Sequence, residues 1–200
     1  MTLLEEVPEK TLRERSIPVL ETERLVLRAP RLEDAKTIAA LANDRQIAEN
    51  TARVPHPYKL ADAKAWIRAV APRAGEESFL ITLADGTIIG VCGIDLRDEP
   101  TPELGYWLGR RYWSKGYATE AVRALIDHTF TELEHTALLA GARVTNPASR
   151  RILEKCGFQW TGVGLCRIRA LNSSTPIDRF RLERGIWASL KRWGKMRRVA

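Results

Sequence analysis

The chain has 200 residues, 44% of them hydrophobic and 28% charged, with a net charge of +7. That is enough for one domain with a substantial core, and no apolar run approaches the length of a membrane span. Its three cysteines, Cys92, Cys156 and Cys166, form no C-x-x-C pair and have no histidine at ligand spacing, which excludes a disulfide framework and a structural metal.

Residues 1–19 read as an N-terminal arm with little pattern. The acidic, mixed start lacks the apolar core of a signal peptide, so the cytoplasm is the expected location. Arg24-Leu-Val-Leu-Arg-Ala alternates as a first strand and Pro30 closes it. Leu32 to Asn43 has helical spacing, with Asp34 early enough to suit the dipole. Val54-Pro-His-Pro-Tyr58 is a stiff extended turn, and a second helix runs from Leu60 until Pro72 ends it. Phe79–Leu83 and Ile88–Ile94 are strands joined by Asp85-Gly86, a strong hairpin signal. Glu103-Leu-Gly-Tyr-Trp-Leu108 is a further strand, and helical spacing restarts after Gly116 and runs to about Phe130. Thr136–Ala142 is a strand, Asn146–Cys156 a compact helix, and Phe158–Leu165 and Ile177–Leu182 are the last strands. With no repeats and no low-complexity tracts, this is an α/β or α+β single domain over residues 20–187, followed by a basic tail at 188–200.

Two segments carry chemistry. Gly116 stands where a helix begins, after a strand and a basic turn, and helix starts combine unpaired N–H donors with partial positive charge. That is an anion cradle, suited to a phosphorylated cofactor. Asn146 suits the N-cap of the later helix, Pro147 its first position and Gly157 its stop. Ser149 falls in its first turn, so Asn146 and Ser149 can reach a ligand in the same groove. Rival phosphate motifs fail: Ser114-Lys115-Gly116 has the Walker order wrong, and Gly162-Val-Gly164 has Arg167 where the last glycine belongs and no helix behind it.

Together these segments resemble the GNAT acetyltransferases, and within them the RimJ/RimL-type branch. The family's cofactor turn, Q/R-x-x-G-x-G/A, lies over Trp113-Ser-Lys-Gly116-Tyr-Ala118, with Trp113 at the Gln/Arg position and Ser114 where the branch often has glycine. Leu20-Glu-Thr-Glu-Arg-Leu-Val-Leu-Arg28 looks like the branch's first strand, Glu103–Leu108 like its fourth, and the Asn146-x-x-Ser149 helix ending at Lys155-Cys-Gly-Phe158 completes the set. The resemblance implies a mostly antiparallel, twisted mixed sheet of about seven strands, splayed between the fourth and fifth. It implies acetyl-CoA as cofactor and acetyl transfer to a primary amine, on a protein N-terminus or a small molecule, by direct attack. Main-chain groups of Tyr106, Trp107 and Leu108 are expected to flank the pantetheine arm. Amides of Ser114, Lys115, Gly116, Tyr117, Ala118 and Thr119 are expected to bind the pyrophosphate, and Asn146 to touch the cofactor. Glu103 is the expected base and Ser149 the expected acid or thiol-orienting hydroxyl, since the tyrosine many family members carry one turn later is Leu153 here. A surface carboxylate paired with arginine and a serine bonded to its own backbone are the plain structural alternatives for these two. The acceptor side is expected from residues 44–60, with Glu49, His56 and Tyr58, and from the loop Ala170–Asp178.

From Arg179 onward eight Lys or Arg face one acid, Glu183, so this stretch holds the whole net charge of +7. It reads first as a solubilising last helix whose aromatics pack on the body, and second as a contact for RNA or an anionic membrane surface. Two other functions compete with the acetyltransferase: a non-catalytic acyl-CoA sensor and a ribosome- or RNA-associated module. Monomer and homodimer are both compatible with the sequence.

Overall fold

The near-continuous apolar runs at 79–83 and 88–94 are what strands buried on both faces require, and in the computed structural model they lie in the middle of one sheet. The structure describes residues 17–70, 77–95 and 101–196. The strands are β1 (Leu20–Glu21), β2 (Leu25–Arg28), β3 (Glu77–Leu83), β4 (Ile88–Asp95), β5 (Glu103–Leu108), β6 (Ala137–Arg143), β7 (Gln159–Ile168) and β8 (Ser173–Glu183). They stand in the order β1-β2-β3-β4-β5-β6-β8-β7, and every pairing is antiparallel except β5 with β6. Where the sequence predicts about seven strands the sheet has eight, because the two-residue β1 is too short to show alternation. It shifts the splay to β5 and β6.

The helices are α1 (Ala35–Ala42), α2 (Arg45–Glu49), α3 (Leu60–Ala69), α4 (Tyr117–Thr131), α5 (Pro147–Lys155) and α6 (Arg184–Met196). The first predicted helix opens instead with a 3-10 turn, Leu32–Asp34, because Asp34 is drawn into a paired contact with Arg28 at 2.8 and 2.9 Å. α2 is a single turn that apolar spacing does not reveal; Asp44 caps it by accepting from the amide of Gln46 at 2.8 Å. The predicted loop Ala170–Asp178 is mostly strand, since β8 begins at Ser173 after Asn172 turns the chain at φ 49. Pro176 is tolerated there because β6 stops pairing at Ile177, leaving β8 one neighbour at that point. The predicted helix end at Pro72 and most of the arm at 1–19 lie outside the described residues.

Strand parity sorts the core onto two faces. Phe79, Cys92, Ile94, Leu104 and Leu108 pack with Val122, Leu125, Ile126 and Phe130 of α4. Leu80, Ile88 and Val91 pack with Ile38 of α1 and Ile67 of α3, and Trp107 lies against this second cluster.

Candidate active site

β5 and β6 hold together at two bridges, Glu103 with Leu139 and Leu104 with Ala140, and then part. From Gly105 to Leu108 β5 pairs with β4 alone. Gly109 N–H donates to Ile89 O at 2.9 Å, so by antiparallel alternation Trp107 turns its main-chain groups to β4 while Tyr106 and Leu108 turn theirs to the gap. The Leu108 carbonyl accepts from Trp113 Nε1 at 2.7 Å.

The gap opens towards the start of α4. Gly116 is the N-cap at φ 82, and no side chain caps the helix, so its first-turn amides are left for an outside acceptor. Ser114, two residues earlier in the same turn, also has positive φ, at 60. Arg24 clamps the turn from β2's side: its Nη1 donates to Lys115 O at 3.1 Å, its guanidinium lies 4.8 Å from the Tyr117 ring centre, and its Nε donates to Glu120 at 2.7 Å. An added Cβ on Gly116 would sit 3.3 Å from Arg24 Nη2. Glu120, an acid in the first turn of an anion-binding helix, is neutralised locally. Burial works against its charge, but hydrogen bonds from Thr22 Oγ1 and Arg24 N and the Arg24 ion pair hold its carboxyl below the ordinary range. Arg24 is a site residue that sequence reading misses, because its partners lie about a hundred residues away.

On the α4 side of the sheet, Tyr106 Oη lies 2.8 Å from Ser149 Oγ and 3.4 Å from the Ser149 carbonyl oxygen. Burial pushes the Tyr106 phenol well above its ordinary pKa, the Ser149 hydrogen bond only partly offsetting it, so the phenol stays protonated. Ser149 is fixed by the cap: Asn146 Oδ1 accepts from its amide at 3.1 Å, and Pro147 starts the helix. The structure thus joins Asn146, Ser149 and Tyr106. The Tyr106 hydroxyl is a second group missed in the sequence, where only its main chain draws notice. Its parity with the buried Leu104 and Leu108 is the signal that it points inward.

Glu103 lies on the other face, at the apex of the splay. Its carboxylate is half exposed and 3.8 Å from Arg179, a loose pair. Beside it the floor is glycine: an added Cβ on Gly105 would meet nothing within 4 Å, and one on Gly141 would sit 3.5 Å from Glu103 Oε1. Arg169 N donates to Ala52 O at 3.0 Å and Arg143 Nη1 to Glu49 O at 2.9 Å, so the segment after α1 is tied to the β7–β8 turn and to β6. Glu49's carboxylate is engaged by Arg45 at 2.6 Å, His56 is exposed, and Tyr58 packs against the α1–α3 cluster, its phenol pushed up to about 12 by burial. Among the described residues no group of His, Cys, Asp and Glu could hold a metal ion.

A phosphate-binding helix start, reached along the open edge of a parting strand pair, suits an enzyme that draws a long phosphorylated carrier into its sheet. The uncapped α4 start and the free edge of β5 fit coenzyme A in that role. Known proteins make the class specific: the family model described as Acetyltransferase (GNAT) domain matches residues 24–159, and the chain belongs to that family. It is 32% identical to an uncharacterized N-acetyltransferase, p20, of Bacillus licheniformis over 72% of this chain and 84% of p20. It is 31% identical to a putative ribosomal N-acetyltransferase, YdaF, of Bacillus subtilis over 68% of this chain and 78% of YdaF. Its fold matches Mycobacterium smegmatis RimJ, solved with a CoA disulfide, at a TM-score of 0.72 and 20% identity over 86% of this chain and 88% of RimJ. The chain is an N-acetyltransferase of the RimJ/RimL-type branch, and its cofactor is acetyl-CoA.

Proposed function

We propose that the enzyme acetylates a primary amine, on a protein N-terminus or a small molecule, by direct attack, with Glu103 as base and Ser149 as acid. The observation that carries this reading is the 2.8 Å contact between Tyr106 Oη and Ser149 Oγ beside the open edge of β5. When bound, acetyl-CoA supplies an acetyl group activated as a thioester. Amides of Ser114 to Thr119 hold the pyrophosphate without loss of side-chain entropy, and Lys115 and Arg24 add charge at the rim. Tyr106 and Leu108 offer main-chain groups to the pantetheine arm, and Trp107 stiffens this edge by pairing with β4. Asn146 borders the cofactor while its Oδ1 caps α5.

Glu103 takes the proton of the attacking amine, directly or through one water, on the glycine-floored face. Ser149 Oγ donates a proton to the departing sulfur, the hydrogen bond from Tyr106 Oη holds the oxyanion left behind, and water returns the proton to Ser149 as coenzyme A leaves. The relative named as a putative ribosomal N-acetyltransferase makes peptide N-termini the first acceptors to try. Mass spectrometry of a panel of peptides and small amines incubated with acetyl-CoA tests the reading, and acetylated product is expected. Cofactor binding without product from any acceptor would favour the acyl-CoA sensor instead. Glu103→Gln should lower kcat about a hundredfold with cofactor affinity unchanged, and an unaltered rate would remove Glu103 as base.

A further inference from the structure

The net charge of +7 is confined to the stretch from Arg179 onward, and α6 is built on that stretch. The helix is anchored at its start. Trp187 packs on Phe130 with ring centres 5.3 Å apart and donates from Nε1 to Asp127 at 2.7 Å, and Lys191 pairs with the same carboxylate. Only part of the aromatic packing expected of this helix is met, because Trp193 keeps 60% of its surface exposed and Leu190 42%. At 100° per residue Ile186, Leu190 and Trp193 fall on one stripe, while Arg184, Lys191 and Arg192 fall on its far side and flanks. The stripe lines an open groove of about 450 Å³ with Glu183, Gly185 and Ser189, and the Glu183 carboxylate is paired with Arg181 at 2.5 Å. This surface is separate from the active site: α6 follows Glu183, which pairs with Ala137 at the start of β6, whereas the splay opens at the other end of that strand.

We propose that this face of α6 seats on an anionic lipid bilayer, with Trp193 and Leu190 entering the headgroup boundary and Arg192 on the flank contacting lipid phosphates. A short amphipathic helix with a basic polar face and an exposed tryptophan has the composition of an in-plane interfacial helix. A second copy is disfavoured because it would bring together two helices that each carry four Lys or Arg and no acid. Nucleic acid would engage the basic side and leave the Leu190–Trp193 stripe in water.

The test is co-sedimentation of the full chain with vesicles of phosphatidylcholine containing phosphatidylglycerol, against pure phosphatidylcholine vesicles. Binding is expected to the anionic vesicles only and to fall with added salt. Trp193→Ser should weaken it at least about tenfold, and Arg192→Glu by about fivefold or more. Both side chains are exposed, so the Tm of each variant should equal that of the parent. Equal binding to both vesicle types, or to neither, overturns the proposal, as does unchanged binding by Trp193→Ser. A single-stranded RNA that binds parent and Trp193→Ser alike while displacing vesicles would make the surface a nucleic-acid site. Self-association abolished by Trp193→Ser, without vesicle binding, would make it a contact between copies.

Discussion

Removing one hydroxyl at a time from the Tyr106–Ser149 pair tests the proposed proton route. Tyr106 has one proton and two acceptors on the same residue, Ser149 Oγ at 2.8 Å and the Ser149 carbonyl at 3.4 Å. In Ser149→Ala the phenol turns to the carbonyl, so the local fold survives while the line to the sulfur is cut. Loss of a general acid is worth at least about a hundredfold, so kcat should fall by about that factor, or about 2.7 kcal/mol, with KM for acetyl-CoA nearly unchanged. Tyr106→Phe keeps Ser149 but removes the hydrogen bond behind it, a net loss of about 0.5–1.5 kcal/mol, or about three- to tenfold. If the two hydroxyls act as one line, the double variant is no slower than Ser149→Ala. The assay is release of free thiol, read with a chromogenic disulfide, at saturating acetyl-CoA and amine. Retention of more than about half of kcat in Ser149→Ala refutes the acid assignment, and additive losses refute the coupling.

The anion turn and the acceptor face make three further predictions. Gly116→Ala places a Cβ at φ 82, about 1–2 kcal/mol of strain, and should lower Tm by about 2–8 °C while shrinking the stabilisation given by coenzyme A; thermal shift with and without ligand reads both, and no change in either contradicts the turn's role. Glu120's carboxyl is held below its ordinary value of 4.5, so its stabilisation is present above that pH and is lost as pH falls through the lower folded value. Glu120→Gln should therefore be less stable than the parent at neutral pH, the difference closing on acidification; a gap that widens in acid would reverse the sign. Gly105→Val adds its side chain to open space beside Glu103, so KM for the amine should rise while cofactor affinity holds, and kinetics with an unaltered amine KM would place the acceptor elsewhere.

The parts of this molecule written in local chemistry are readable from the chain. Asp85-Gly86 turns as its residue types require, with Gly86 at φ 84 and its amide donating to Leu83 O at 2.9 Å. α5 takes its cap from Asn146, its start from Pro147 and its stop from Gly157 at φ 93. What the chain hides depends on distant partners. Asp34 does more than suit the helix dipole: its carboxylate closes the 3-10 turn by accepting from Arg31 N at 2.8 Å and also pairs with Arg28 on β2, a partner that helical spacing does not show. Arg24 sits in the bend before β2 with nothing local to mark it, and only the closure of the sheet brings Glu120 within 2.6 Å. The segment expected to face the acceptor stays illegible for a related reason: α2 is held by one capping aspartate and by Arg143, and the chain just after it by a bond from Arg169 N to Ala52 O.

The position of Glu103 relative to Tyr106 follows from strand parity, and parity explains why the site has the form it does. The two residues are an odd number apart on β5, so their side chains leave the sheet on opposite faces. Glu103 shares its face with Gly105 and Trp107, on the α1–α3 side, and Tyr106 shares the other with the buried Leu104 and Leu108, where Ser149 waits on α5. On the proposed mechanism, a thioester carrier in the gap would be reached from both faces at once. The proton leaving the amine and the proton arriving at sulfur would then belong to separate compartments, with the carrier between them. A one-residue slip of β5 against β4 would exchange the faces, carrying the Tyr106 side chain away from Ser149 and turning Leu104 and Leu108 out of the core, so the packing that stabilises the sheet also keeps the phenol beside Ser149.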